Sequence, residues 1–113
     1  MKLSILELIG TPNGIIQKFG LIVFERVEEA LKKNPTQNIE LSFVGLKNAT
    51  TGFFNASIGN LYQKFGEETD KKIKITGLED NKDWVEKFND AKELGLNPDK
   101  VKKVDSIIAE LFQ

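Results

Sequence analysis

The chain has 113 residues, with 16 Lys and Arg against 17 Asp and Glu, a formal net charge of -1, and neither Cys nor His. The absence of Cys excludes disulfides, thiolate metal sites and Cys nucleophiles, and the absence of His removes the commonest general base and the commonest metal ligand. Length and composition are typical of one globular domain. We therefore expect a single domain over residues 1–113 with no catalytic residue, no metal site and no cofactor.

Charge and hydropathy indicate which kinds of partner to expect. The near-neutral chain has no broad basic footprint for nucleic acid or for an anionic membrane. No apolar run approaches the roughly 18 residues of a membrane helix, and the sequence after Met1 lacks the features of a signal peptide. We therefore expect a cytoplasmic protein that binds another protein, with neither nucleic acid nor a membrane among its partners.

In chain order, the first third predicts a strand, a turn and a helix. Residues 3–9 are rich in apolar side chains and alternate in part, which predicts a half-buried strand. Residues 10–14 combine Pro, Asn and two Gly, which predicts a turn. The next residues place apolar side chains every three or four positions and predict an amphipathic helix that ends at Asn34. Because Gly20 costs about 1 kcal/mol relative to Ala in a helix, we expect the regular helix to begin only near Leu21.

The middle of the chain predicts a second strand and a second helix. Residues 38–44 alternate between apolar and polar side chains, as a strand does. The loop at residues 45–52 then leads into a helix over residues 53–65, for which Gly66 is a suitable C-terminal stop. Within this helix, Gly59 is expected to allow a close approach to the sheet.

The last part predicts a third strand and two helices. Residues 71–78 alternate and form the predicted strand, and Asp80 or Asn81 can cap the helix that follows, with Gly95 as its end. Asn97–Pro98 is a typical start for a final helix. The apolar stripe of that final helix consists of Val101, Val104, Ile107, Ile108, Leu111 and Phe112.

The order of strands and helices predicts the fold class. Parallel strands are joined by crossover helices, so an alternation of strands and helices favours α/β architecture. We therefore expect a small, mostly parallel β-sheet with helices packed against it.

The stretch from Ile39 to Tyr62 carries a resemblance to a known family. It contains a strand, a Gly-hydrophobic pair, a loop with two hydroxyls and an aromatic-rich helix that reaches Gly-Asn-Leu-Tyr. This pattern resembles the STAS domains of bacterial anti-sigma factor antagonists and, more closely, the compact STAS-like family of unknown function. The resemblance covers residues 38–78. It implies a STAS-like fold and a non-enzymatic regulatory module that switches between protein partners.

The loop at the start of the second helix is the candidate site that the resemblance implies. In the antagonists this loop reads Asp-Ser-Ser-Gly or Asp-Ser-Thr-Gly, and one hydroxyl is phosphorylated by an ATP-binding, kinase-like anti-sigma factor. Thr50 and Thr51 are therefore candidate phosphoacceptors, with Gly52 as a close-packing position, whereas Ala49 departs from the family's Asp. The candidate partner-binding residues are Asn48, Ala49, Thr50, Thr51, Gly52, Phe53 and Asn55.

Alternative interpretations apply to the same residues. Thr is a common helix N-cap, so either hydroxyl can serve the helix alone, with no regulatory role. Phe53 and Phe54 are adjacent and lie about 100° apart on a helix, so either one is an exposed anchor or both are covered by other elements. A structural or assembly protein, from a mobile element and oligomerising through its C-terminal helix, is the second functional interpretation. A small enzyme or nucleotide-binding protein is the third, and no constellation of residues favours it.

Overall fold

The computed structural model describes residues 1–98. The apolar stripe predicted for the final helix, residues 101–112, lies outside the described residues, and so does the predicted oligomerisation surface. Across residues 1–98, none of the helices has both the length and the hydropathy needed to cross a membrane. The elements in chain order are β1 (Lys2–Ser4), α1 (Ile5–Ile9), β2 (Asn13–Gly14), α2 (Gln17–Lys33), β3 (Ile39–Ser42), β4 (Asn48–Ala49), α3 (Thr51–Phe54), a π-helical segment (Asn55–Gly59), α4 (Asn60–Phe65), α5 (Glu68–Lys72), β5 (Ile73–Thr76) and α6 (Lys82–Leu96).

Three parallel strands form the main sheet, in the order β1, β3, β5. In the register of this sheet, Leu41 of the central strand lies opposite Leu3 on one side and Ile75 on the other. The two-residue strands β2 and β4 form a separate parallel pair. Every strand pairing in residues 1–98 is thus parallel, and the predicted α/β, STAS-like architecture is confirmed.

The sheet packs against the helices through a cluster of aromatic rings. Phe43, directly after β3, stacks on Phe54 with the ring centroids 5.3 Å apart and the planes 11° from parallel. The Phe43 ring contacts the Phe53 ring edge to face, with the centroids 6.5 Å apart. It also contacts the Trp84 ring of α6, which is tilted by 53° with the centroids 6.2 Å apart. Because aromatic pairs in such geometries contribute beyond their buried area, this cluster fixes α3 and α6 relative to the sheet.

Two predicted strands are wrong in part, since short helices replace some of their residues. Within residues 3–9, only the first two belong to β1, and the rest form α1. The Ser4 side chain accepts a hydrogen bond from the Glu7 amide, and Gly10 ends α1 with φ at +72°. These are ordinary helix start and stop signals, and they outweigh the partial alternation. Likewise, residues 71–72 belong to α5 instead of a strand.

Two glycines that were predicted to limit helices instead allow helices to pack closely. The helix α2 begins at Gln17 and not near Leu21, and Gly20 lies buried inside it. A Cβ on Gly20 would lie 2.6 Å from the Phe53 carbonyl oxygen, so only glycine permits this approach. Gly95 does not end α6, which continues to Leu96.

Gly95 instead allows α6 to contact the helix that begins at Thr51. A Cβ on Gly95 would overlap the Gly59 carbonyl oxygen and would lie 2.9 Å from the Tyr62 Cβ. A Cβ on Gly59, in turn, would lie 3.5 Å from the carbonyl oxygen of Ala91 in α6. The close approach predicted for Gly59 is therefore made to a helix and not to the sheet.

The segments α3, π and α4 form one helical run from Thr51 to Phe65. The backbone stays helical at both junctions, with φ and ψ of -64° and -42° at Asn55 and of -67° and -34° at Asn60. In the π segment the hydrogen-bond register changes, which leaves carbonyl groups in need of other donors. The Ser57 hydroxyl donates to the Phe53 carbonyl at 2.8 Å, and the side-chain amide of Asn60 donates to the Ala56 carbonyl at 2.8 Å.

A polar cluster joins α4, α5 and α6 at the far end of this run. The buried Tyr62 hydroxyl donates a hydrogen bond to the Asp70 carboxylate at 2.6 Å, and the Lys92 ammonium lies 3.1 Å from the same carboxylate. The hydrogen bond from Tyr62, followed by the contacts with Lys92, lowers the pKa of Asp70 below its ordinary value. Burial is the largest cause that raises the pKa of the Tyr62 phenol, so this group stays protonated at neutral pH.

We predict that Gly95→Ala lowers the free energy of unfolding. Helix propensity alone would favour Ala over Gly by about 1 kcal/mol. The new methyl group would overlap the Gly59 carbonyl, and overpacking of this kind costs about 1–3 kcal/mol. Urea denaturation measures the change, and Asn89→Ala on the exposed face of α6 is the control, for which we expect no loss. A stabilised Gly95→Ala variant would contradict the close helix contact.

We predict that Asp70→Asn lowers stability at neutral pH and that the difference from the wild type shrinks in acid. A carboxyl group with a lowered pKa in the folded state stabilises above its unfolded pKa, about 3.9, and this contribution disappears as the pH falls through the folded pKa. Thermal melts between neutral pH and about pH 2 test this, with the exposed Asp90→Asn as control. A difference that persists unchanged in acid would rule out the ionised Asp70 as its source.

Candidate functional site

The predicted loop at residues 45–52 is held in place by the β2–β4 pair. Asn13 lies opposite Asn48, and Gly14 lies opposite Ala49. The Thr50 amide donates to the Gly14 carbonyl at 3.0 Å. The amide of Lys47, just before β4, donates to the Pro12 carbonyl at 2.8 Å. The turn that carries both threonines therefore has a fixed backbone before the helix begins.

Thr50 is the N-cap of the helical run. Its backbone is extended, with φ at -91° and ψ at 164°, and its Oγ1 accepts a hydrogen bond from the Phe53 amide at 3.2 Å. Its carbonyl accepts the first bond of the helix, from the Phe54 amide at 3.0 Å. The capping role that the sequence allowed for Thr is thus confirmed at Thr50, which is only partly exposed.

Thr51 and Gly52 form the exposed first turn of the helix. The Thr51 hydroxyl makes no protein hydrogen bond in residues 1–98, in contrast to that of Thr50. Gly52 is predicted to be a close-packing position, but a Cβ built there would meet nothing tight in residues 1–98: apart from its own helix backbone and chain neighbours, the nearest atom is the Thr50 Oγ1, at 4.0 Å. The space above Gly52 is therefore open, and both residues are accessible to a second molecule.

Phe53 and Phe54 are both fully buried, although they lie on different sides of the helix. Their rings meet edge to face with centroids 6.2 Å apart, and a Cβ on Gly14 would lie 3.2 Å from the Phe53 ring. The expectation that Phe53 contacts a partner is therefore corrected: its ring belongs to the core. Of the two alternatives, one exposed anchor or two covered rings, the structure has the second, since both residues are covered by other elements.

The other predicted contact residues differ in their accessibility. Ala49, at the position of the family's Asp, is only 8% exposed and leaves the hydroxyls without a carboxylate from this position. Asn55 is partly exposed, yet its Oδ1 atom is buried with no hydrogen-bond partner in the described part of the chain. The Asn48 side chain is exposed and donates to the Asn13 side chain at 2.7 Å.

Asn13 belongs to this site, and sequence reasoning missed it. Asn13 and Gly14 were assigned to a turn, because Asn and Gly together are a strong turn signal. The structure instead places them in β2, paired with residues 35 positions further along the chain. Only this long-range pairing brings Asn13 beside Asn48, and no local pattern in the sequence predicts the pairing.

The chemistry of the site is that of a neutral polar surface. Its polar groups are the hydroxyl of the exposed Thr51, the side-chain amide of the exposed Asn48 and that of the partly buried Asn13. Among residues 1–98, no group of three or more Asp or Glu side chains is placed to hold a metal ion. At the start of the helix, the first amide groups lack intrahelical acceptors and the helix dipole favours an anion. The site can thus present a hydroxyl for contact or for modification.

We predict that the two threonines differ in their effect on stability. Thr50→Ala removes the acceptor of the Phe53 amide and should cost about 1 kcal/mol, as the loss of an N-cap does. Thr51→Ala at the exposed neighbouring position should change the free energy of unfolding by less than about 0.5 kcal/mol. Urea denaturation of both variants tests this. Equal losses would show that Thr50 does not act as the cap.

Comparisons with known proteins add one match. A family model described as the STAS-like domain of unknown function (DUF4325) matches residues 20–83, which is more than half of the chain. This range includes β3, β4, the helical run from Thr51 and β5. Comparisons with curated proteins and with solved structures gave no match. On the family match and the parallel α/β fold, the chain belongs to the STAS-like family.

Proposed function

We propose that this chain is a non-enzymatic regulatory module that binds a protein partner through the turn at residues 48–52. One observation carries this proposal: Thr51, the first residue of the helical run, is exposed, and its hydroxyl has no hydrogen-bond partner among residues 1–98. The backbone of the turn is fixed by its pairing with β2, so a partner meets a preformed surface. A preformed surface lowers the entropic cost of binding.

Thr51 is the better phosphoacceptor of the two candidates. The Thr50 hydroxyl is partly buried and accepts the Phe53 amide, so its modification would compete with the helix cap. The Thr51 hydroxyl is exposed, and its modification leaves that cap in place. A phosphate on Thr51 would also lie at the end of the helix whose free amides and dipole favour an anion.

Phosphorylation would oppose partner binding by a simple electrostatic mechanism. The surface of the turn is neutral, and a phosphate adds about two negative charges at pH 7. A partner that docks on neutral and apolar groups would have to displace the water around those charges. The modification would thus release the partner without unfolding the module.

The partner that this scheme requires is an ATP-binding, kinase-like protein of the anti-sigma factor type. The support is the family membership of the chain and its resemblance to the antagonists at residues 49–52. In the transfer, the Thr51 oxygen forms a bond to the γ-phosphorus of ATP, the bond to ADP breaks, and the hydroxyl proton passes to a base. Because position 49 is Ala, we expect the partner to supply that base.

We predict that Thr51→Asp weakens the complex by at least about tenfold, or roughly 1.4 kcal/mol. The partner is first isolated from the organism that encodes the chain, by affinity capture with mass spectrometry, and its affinity is then measured by titration calorimetry. We expect Thr50→Asp to weaken the complex less, since Asp is itself a good N-cap. Thr36→Asp, in the exposed turn between α2 and β3, is the control for added charge.

Two results would contradict the proposal. The first is repeated recovery of the chain alone, with no partner enriched over a matched control. The second is an affinity that is the same for the wild type, Thr51→Asp and Thr36→Asp. In the second case the chain would still bind a partner, but Thr51 would not control that binding.

A further inference from the structure

Three large apolar side chains are exposed beside the turn that carries Thr51. Ile15 is 54% exposed, Ile16 45% and Leu21 40%. Ile15 follows Gly14 directly, and the Gly14 carbonyl accepts the Thr50 amide, so this apolar segment begins next to the candidate site. Leu21 is exposed in the second turn of α2, five residues after Ile16. We call Ile15, Ile16 and Leu21 the isoleucine surface.

Two exposed lysines lie on the segments that carry the isoleucine surface or pair with it. Lys18 is exposed in the first turn of α2, and Lys47 is exposed just before β4, where its amide is bonded to Pro12. Within residues 1–98, neither ammonium group takes part in an ion pair, whereas Lys32 and Lys64 are both paired with Glu28. Glu25, one turn beyond Leu21, is the nearest carboxylate along α2.

This charge pattern decides between two kinds of occupant. In a symmetric contact between two copies, each centred on the isoleucines, the two copies would bring Lys18 and Lys47 twice against Glu25 twice, so an excess of positive charge would oppose the contact. A different protein with Asp and Glu around an apolar patch would complement both the apolar side chains and these two lysines. The observations therefore favour an acidic partner over a second copy.

We propose that the isoleucine surface is the main docking surface for the partner, and that the partner presents apolar side chains surrounded by Asp and Glu. This inference rests on the proposed function, since the same partner would cover Thr51. The proposal assigns the affinity for the partner and the control of binding to different residues. The isoleucine surface supplies most of the affinity, and Thr51 supplies the control.

A selection experiment tests the chemistry of the surface without the natural partner. A phage-displayed library of random peptides is depleted on the double variant Ile15→Ser/Ile16→Ser and then selected on the immobilised wild-type chain. We expect the enriched peptides to combine large apolar residues with an excess of Asp and Glu over Lys and Arg. No enrichment, or an excess of basic residues, would overturn the proposal.

Affinities of a synthetic peptide from this selection then test the named residues. We expect at least about tenfold weaker binding to Ile15→Ser/Ile16→Ser, as for central apolar contacts. Lys18→Glu/Lys47→Glu should weaken binding by a similar factor, and the effect should be largest at low salt. Val44→Ser is the control, because Val44 is 64% exposed but lies against Gly77. Unchanged affinity for either double variant would overturn the proposal.

Two further measurements keep the outcomes distinct. Circular dichroism checks the fold of Ile15→Ser/Ile16→Ser, and the lysine variant, which keeps both isoleucines, decides if the first variant is unfolded. The natural partner, once captured, separates the two proposals. If it responds to Thr51→Asp but not to Ile15→Ser/Ile16→Ser, the docking surface is wrong and the proposed function stands. The reverse result supports the docking surface and removes the switch.

Discussion

The close contact of three helices is the constraint on which the rest of this structure depends. The helical run from Thr51 to Phe65 lies between α2 and α6, and neither Gly20 nor Gly95 has room for a Cβ against it. Side-chain hydrogen bonds from Ser57 and Asn60 satisfy two carbonyl groups within this run, those of Phe53 and Ala56. Because the run is held from both sides and Phe53 and Phe54 are buried beneath it, its first turn has one position relative to the sheet. That position is where Thr51 meets solvent.

The two adjacent threonines have different roles, one structural and one at the surface. Thr50 caps the helix and belongs to the folded framework, while Thr51 is exposed on that framework. Modification of Thr51 would therefore change the charge of a surface without removing a contact that stabilises the fold. The polar cluster of Tyr62, Asp70 and Lys92 is at the other end of the run, where it joins α4, α5 and α6. A partner at Thr51 would thus leave this cluster untouched.

Membership of the STAS-like family accounts for the framework of this chain, and the geometry of the turn carries the function that we propose for it. The family match covers the sheet strands β3 and β5 and the helical run, but not β1, β2 or most of α6. Asn13 and the isoleucine surface lie in or next to the unmatched first part, or in the first turns of α2. The features that we propose for partner choice are therefore partly outside the matched region. One fold can serve different functions, because function depends on the sites that are built on it.

The sequence by itself determined the features that depend on neighbouring residues. The end of α2 at Asn34 and the stop at Gly66 were predicted correctly, and Asn81 is one of the two residues predicted as the cap of α6, because each signal acts within about one helical turn. The parallel α/β class followed from the order of the elements, and the family from the residues around Thr50 and Thr51. Only the tertiary structure decided the burial of Phe53, the packing role of Gly95 and the pairing of Asn13 with Asn48. Each of these results from contacts between segments far apart in the chain, and such contacts leave no periodic signal in either segment alone.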